Sequence, residues 1–349
     1  MRISNEETGM MNNQSAKALK RSEFAKKYGA IMVFAILLMV NIIVTPNFIS
    51  SITIYNLIIH STTVVCIAMG MTFVIAVAGI DISVGATMSL CATVTAIMAE
   101  NEYPIVLCVF IGLLLGGGVG AFIGVMTVKY TIQPMVLTLA MMIILRSAAR
   151  MVSNAKTVQI VDPNFLGISG TSFGEIPIQL IYILVFTISF FVLAEHTVFG
   201  KSVEAIGNNI TAAKLSGIFS DRIVVFVYLL LGALSALAGI MAVSRMQNCN
   251  PSSVGSGIEL EAIAAVVIGG TSMSGGKPRV MGTLVGCFIM SIITMMVNMN
   301  GIDTAWSMLL EAAIIIIAVY IQSGKGTSVK KVKYQKAYDK IAGGLIDEK

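Results

Sequence analysis

The chain reads as an all-α polytopic membrane protein of about ten transmembrane helices in two pseudo-symmetric halves. Three observations point there. Hydrophobic residues make up 56% of the 349 and charged residues only 12%, whereas about a quarter of a soluble domain is charged. Apolar runs recur at the length a bilayer core demands, roughly 20 residues per helix. Basic residues gather at the flanks of those runs, which suits topology signals and gives the net charge of +5.

In chain order, residues 1–28 form a tail holding Arg2, Lys17, Lys20, Arg21, Lys26 and Lys27. The first apolar run, 29–44, follows this basic stretch as a signal-peptide core would. Thr45-Pro46-Asn47-Phe48 offers no small-x-small cleavage site, so the run reads as a retained signal anchor. Further runs lie at 56–79, 84–99, 105–128, 133–151, 177–194, 223–243, 259–270, 280–298 and 304–321. Those at 29–44, 84–99 and 259–270 are short, which leaves eight spans as the alternative count, the short runs being tilted, re-entrant or sheltered in the bundle. The transmembrane domain thus covers 29–322, and a second basic tail follows at 323–349 with six lysines from Lys330 onward, Lys325 preceding them at its edge.

Ten spans with a cytoplasmic N-terminus put the loops near Lys129, Lys201–Arg222 and Lys277–Arg279 inside, together with the C-terminal tail. Glu100-Asn101-Glu102, without a basic residue, falls outside. Arg146, Arg150 and Lys156 are exceptions, near the outer end of the fifth run. The basic tails lack the aromatic interleaving of a nucleic-acid face, so no nucleic-acid partner is expected. Cys66, Cys91, Cys108 and Cys287 sit in apolar runs and Cys249 in a loop; no pair has metal-ligand or disulfide spacing, and no metal site is expected.

Gly112, Gly116, Gly120 and Gly124 recur every four residues along the fourth run. One helix face is then nearly bare backbone, suited to close packing by another helix. Two stretches resemble each other: GMTFVIAVAGIDISVG at 70–85 and AIAAVVIGGTSMSGGKPRVMGTLVG at 262–286. Each is an apolar run, a Gly and Ser turn, then a new apolar run, as in two related halves of a transporter.

Catalytic chemistry finds little footing. His60 and His196 are the only histidines, and neither is paired with a nucleophile. The run Gly270 to Pro278 imitates a phosphate loop, but Lys277 comes one residue late and Pro278 stands where a hydroxyl should hold magnesium. Gly116, Gly118 and Ala121 match a dinucleotide fingerprint only within a membrane span. Asp81, with Ser83, either caps the third span or serves gating or partner contact. Glu259 and Glu261 open the eighth span, where the helix dipole favours acids. The stretch FGKSVEAIGNNITAAKLSG at 199–217 is the longest inner loop. Ala205–Gly207 reads as a turn, Thr211–Leu215 as a short helix and Gly217 as its end. It is either a docking helix for a partner's groove or an ordinary loop.

Four segments in order, GMTFVIAVAGIDISVG (70–85), TIQPMVLTLAMM (131–142), FGKSVEAIGNNITAAKLSGI (199–218) and ELEAIAAVVIGGTSMSGGK (259–277), resemble the permease subunits of ABC importers for simple sugars, the group of ribose, xylose, galactose and autoinducer-2 permeases. The resemblance covers about 30–322. It implies a non-enzymatic transport subunit in the bacterial inner membrane, both termini cytoplasmic. It also implies a second permease copy, identical or different, a separate ATPase that holds ATP and magnesium, and a periplasmic or lipid-anchored sugar-binding protein. This chain itself is then expected to need no cofactor. Within the loop at about 195–222, the resemblance assigns ATPase coupling to Glu204, Ala205, Gly207, Asn209, Ala212, Ala213, Ser216 and Gly217. Gly79, Asp81, Ser83 and Gly85, with Gly269, Gly270, Thr271, Ser272, Ser274, Gly275 and Gly276, are the candidates for gating or structural roles. Two positions depart from the family pattern: Asn208 stands where glycine is frequent and Glu261 where aspartate is frequent. A permease for nucleosides or branched-chain amino acids, and an ion-coupled secondary transporter, are the alternatives.

Overall fold

A computed structural model describes residues 31–173, 176–303 and part of 305–316. The tails expected at 1–28 and 323–349, and most of the run 304–321, lie outside the described residues. The described chain is helical almost throughout. Helices α1 (Ile31–Val44), α2 (Ser51–Ala76), α3 (Val84–Glu100), α4 (Ile105–Lys129) and α5 (Pro134–Val152) are followed by a short α6 (Pro163–Gly170). Then come α7 (Ile178–Glu195), α8 (Val198–Asn208), α9 (Ile210–Leu215), α10 (Ser220–Met246), α11 (Ile258–Ile268) and α12 (Val280–Met299). Two minimal antiparallel ribbons join loops: β1 (Val158–Gln159) with β4 (Asn248–Cys249), and β2 (Ser172–Phe173) with β3 (Ile176–Pro177).

Among the described residues six helices, α2, α4, α5, α7, α10 and α12, are long and apolar enough to cross a membrane. The short runs stay short. α3 has 17 residues, and α11 has 11, a reach of about 16 Å against a hydrocarbon core of roughly 30 Å. α2 begins five residues before its apolar run because Ser50 caps it, its hydroxyl accepting the Thr53 N–H at 3.2 Å.

The helices sort by surroundings. From Ser61 to Ala76 every residue of α2 is buried, as befits a helix apolar all round at the centre of a bundle. α10 packs beside it and also contacts α3 and α4. α4, α5 and α7 bury few residues and turn apolar side chains outward, among them Phe110, Ile143 and Ile188.

Gly116, Gly120 and Gly124 of α4 meet the backbone of α10, and Gly112 meets side chains of α3 and α10. A methyl group on Gly116 would strike the Gly232 carbonyl oxygen, and one on Gly120 the Tyr228 carbonyl oxygen. One on Gly124 would stand 2.8 Å from Val225 Cα, and one on Gly112 2.9 Å from Ile240 Cδ1. Close backbone approach is how helices gain packing energy in lipid, where no hydrophobic drive separates helix from solvent. Gly118 points elsewhere and has nothing within 4 Å of that position.

Three loops come together at one end of the bundle: that after α4, the α8–α9 segment, and the turn between α11 and α12 that holds Lys277. Lys129 lines an open groove with Asp221 and Arg222, and Lys277 pairs with Glu195 at 2.9 Å. The ends of α3 and α10 and the ribbon β1–β4 lie at the opposite end.

Gly116→Val is expected to destabilise the protein by roughly 1–3 kcal/mol, the cost of overpacking a filled contact. Gly118→Val, two residues away, is expected to leave it unchanged. Thermal unfolding of both variants in detergent checks the contrast.

Candidate functional site

The segment between α7 and α10 is two helices. Thr197 caps α8, its hydroxyl accepting the Gly200 N–H at 3.2 Å. α8 lays Gly200, Ser202, Val203 and Ile206 inward. Phe199 anchors it from the same turn: its ring lies 5.7 Å from that of the fully buried Phe73 and 5.4 Å, edge to face, from that of Phe226. Glu204, Ala205 and Gly207 are half-buried within α8. The turn expected at Ala205–Gly207 is therefore helix, since burial of Val203 and Ile206 outweighs the low helix propensity of glycine. The chain turns one step later, at Asn209, which is extended (φ −164°).

Asn209 starts α9. Its side-chain oxygen accepts the Ala212 N–H at 3.0 Å. Gly217 closes the helix in the left-handed region (φ +82°), and Ile218 N–H then reaches the Ala213 carbonyl at 3.1 Å. Six residues are too few for a helix to persist on propensity, so these two caps define it. Only Ala213 is buried; Ala212, Ser216 and Gly217 are exposed, as are Ile210, Phe219 and Leu215, the last at 85%. α9 thus projects from the bundle end with apolar side chains in the open.

Gly207 joins this projection to the rest. A methyl group there would strike the Ala76 carbonyl oxygen and the Gly276 nitrogen. Those two atoms are themselves bonded, Gly276 N–H to Ala76 O at 2.9 Å. Gly275 closes the triangle against the Gly207 backbone, its own φ of +86° available only cheaply to glycine. The end of α2, the turn before α12 and α8 therefore meet at one all-backbone junction. The rest of that turn is local: Gly269 packs on Gly282, Gly270 is left-handed, Thr271 is buried with its hydroxyl accepting the Arg279 N–H, and Ser272 and Ser274 bond each other at 2.8 Å. The stretch that imitates a phosphate loop uses its backbone for packing.

The second group lies deeper. Asp81 is buried, and its carboxylate accepts both the N–H (2.8 Å) and the hydroxyl (2.6 Å) of Ser83. Ser83 is the N-cap of α3 but makes no side-chain capping bond, so the aspartate closes a local turn and leaves the helix's first N–H groups uncapped. Gly79 touches the buried Tyr228 hydroxyl. Gly85 presses on the Gly255 carbonyl and on Glu259 Oε2.

Gly255 belongs to a loop, absent from the sequence reading, that enters the bundle after β4. It descends along α3: Cys249 beside Thr93 at 3.5 Å, the Pro251 carbonyl bonded by the Ser89 hydroxyl at 2.8 Å, then Gly255 at Gly85. Eight α3 residues correspond to about 12 Å of depth. Arg146 on α5 holds the bottom, donating to the carbonyls of Val254 at 2.6 Å and Gly255 at 3.3 Å. The arginine that broke the charge pattern of the fifth run is thus an internal donor.

A family model described as the branched-chain amino acid transport system permease component matches residues 53–319. The chain belongs to this permease family. The ribose import permease protein of Haemophilus influenzae is 34% identical over 323 residues, covering 91% of this chain and 99% of that protein. That of Bacillus subtilis is 34% identical over 329 residues, covering 90% and 99%. The L-arabinose ABC transporter permease protein of Azospirillum brasilense is 33% identical over 297 residues, covering 85% and 87%. No solved structure matches. The permease therefore carries the four segments first singled out within one family domain, and the structure brings three of them, 70–85, 199–218 and 259–277, into direct contact at Ala76, Gly207 and Gly276.

Three contributors escaped sequence reasoning. Phe199 looked like any apolar residue. The loop 249–257 carried no periodic signal. Arg146 did carry one, as a cation inside an apolar run.

Gly207→Val is expected to cut ATP-driven transport by roughly tenfold or more, as a contact overpacked by about 1–3 kcal/mol gives way. Gly217→Ala, strained but in open space, is expected to cost less. Uptake measured beside ATP hydrolysis in the assembled transporter checks the order.

Proposed function

We propose that the permease is the membrane subunit of an ABC importer that carries a simple sugar across the bacterial inner membrane. A separate ATPase, holding ATP and magnesium, docks on α8–α9; Glu204, Asn209, Ala212, Ser216 and Gly217 form or shape that contact, and Ala205, Gly207 and Ala213 seat it. A periplasmic or lipid-anchored binding protein delivers the sugar at the opposite end, a second permease copy completes the passage, and both termini face the cytoplasm.

The observation that carries the sugar assignment is similarity across most of the chain to permeases named for ribose and L-arabinose, with others named for D-allose and galactofuranose. The coupling assignment is carried by α9, exposed on every side but one and tied through Gly207 to α2 and α12. ATP binds the two conformations of the partner unequally, and that difference is the only source of bias available to the passage. Because the junction at Gly207 is backbone on backbone, a shift of α9 moves the ends of α2 and α12 as rigid bodies. The branched-chain amino acid reading keeps one support, the family description.

The permease assembled with its ATPase and binding protein in liposomes is expected to take up ribose, L-arabinose or D-allose with ATP, and not leucine. Uptake of leucine alone would replace the cargo. Accumulation on an ion gradient without the ATPase would replace the whole mechanism. Deleting 209–217, or Glu204→Lys, is expected to abolish ATP-driven uptake while the protein still inserts; normal uptake in either variant sinks the coupling assignment.

A further inference from the structure

We propose that the cavity enclosed by α2, α10 and the loop leading into α11 is a weak binding site for a neutral monosaccharide in transit. This rests on the sugar reading above. The cavity has a volume of about 170 Å³. Four elements supply its polar lining: His60 and Thr63 from α2, Arg245 from α10, Ser253 and Ser256 from the loop, and Glu261 from α11.

One atom asks for a ligand. His60 Nδ1 is shut off from solvent and has no hydrogen-bond partner. An enclosed polar atom left unpaired costs about 1–3 kcal/mol, and a flip of the His60 ring that turns Nδ1 into the cavity lets a ligand hydroxyl recover that. Thr63 lies three residues on, on the same helix face. Ser253 and Ser256 are exposed at the mouth, so a solute reaches them first.

The chemistry of the lining selects the class. Imidazole, hydroxyl, guanidinium and carboxylate side chains are among the lining residues, donors and acceptors together. A solute with a hydroxyl on nearly every carbon can meet them all, and Val64, Met88 and Ile258 offer contact to its C–H face. A branched-chain amino acid needs its two charges bound at one end and a wholly apolar slot at the other. Arg245 and Glu261 carry opposite charge, so the lining has no net charge that would favour an anion or a cation over a neutral solute. The site is also connected to the machinery. Gly255 lines the cavity with one side and is held by Arg146 and pressed on Gly85 with the other, so parting that contact reshapes the site.

The permease purified with its ATPase in lipid nanodiscs tests this by saturation-transfer NMR with D-ribose, L-arabinose, D-allose and L-leucine as probes. At least one sugar is expected to receive saturation, and leucine none. His60→Leu and Ser256→Val are each expected to weaken sugar binding roughly five- to tenfold, the loss of one or two hydrogen bonds. Thr63→Val serves in place of His60→Leu should that variant melt early. Sugar saturation unchanged in these variants overturns the site, and ATP-driven sugar uptake by the same variants, assembled with the ATPase and binding protein in liposomes, then leaves the sugar reading standing. Leucine saturation that His60→Leu abolishes overturns the sugar reading instead.

Discussion

Inside a bilayer a backbone carbonyl or N–H without a partner has no water to fall back on. This structure interrupts its helices at depth, and every interruption depends on meeting that demand. The loop into α11 is the plainest case. Its carbonyls at Pro251, Val254 and Gly255 accept from Ser89 and Arg146. The end of α2 and the start of α12 are treated alike, the Ala76 carbonyl by Gly276 N–H and the Arg279 N–H by the Thr271 hydroxyl. Irregular backbone survives there because protein encloses it.

The same demand shapes how motion passes through the protein. Where α4 meets α10, and where α8 meets α2 and the turn before α12, the contacting surfaces are main chain. Such contacts have no side-chain rotamers to absorb a displacement, and close-packed interiors shift between discrete arrangements more readily than they deform. The ion pair of Lys277 with Glu195 adds a further tie from the turn before α12 to α7, although an exposed pair contributes little on its own.

Much of this was legible in the sequence. Composition and run length located the spanning helices, and the short helix expected at Thr211–Leu215 with Gly217 at its end is α9, which begins one residue earlier, at Ile210. Gly207 stands in the segment that the resemblance assigns to coupling, but its reason, a neighbour's carbonyl where a side chain would stand, lies in residues more than 60 positions away in either direction. The placement of a turn at Ala205–Gly207 failed because local propensity was opposed by burial of Val203 and Ile206. The loop 249–257 was invisible because nothing periodic marks a chain that takes its hydrogen bonds from other helices. Only Arg146 signalled it, as a charge with no business in lipid.

α9 offers its own bundle a single buried side chain, Ala213. A stretch with so little part in folding is almost free of the selection that stability imposes on its neighbours. If the ATPase docks there as proposed, its sequence answers to that surface and can drift in step with it while the helices behind it stay fixed. Lineages that exchange one energising protein for another would record the exchange here first, in six residues and their two caps.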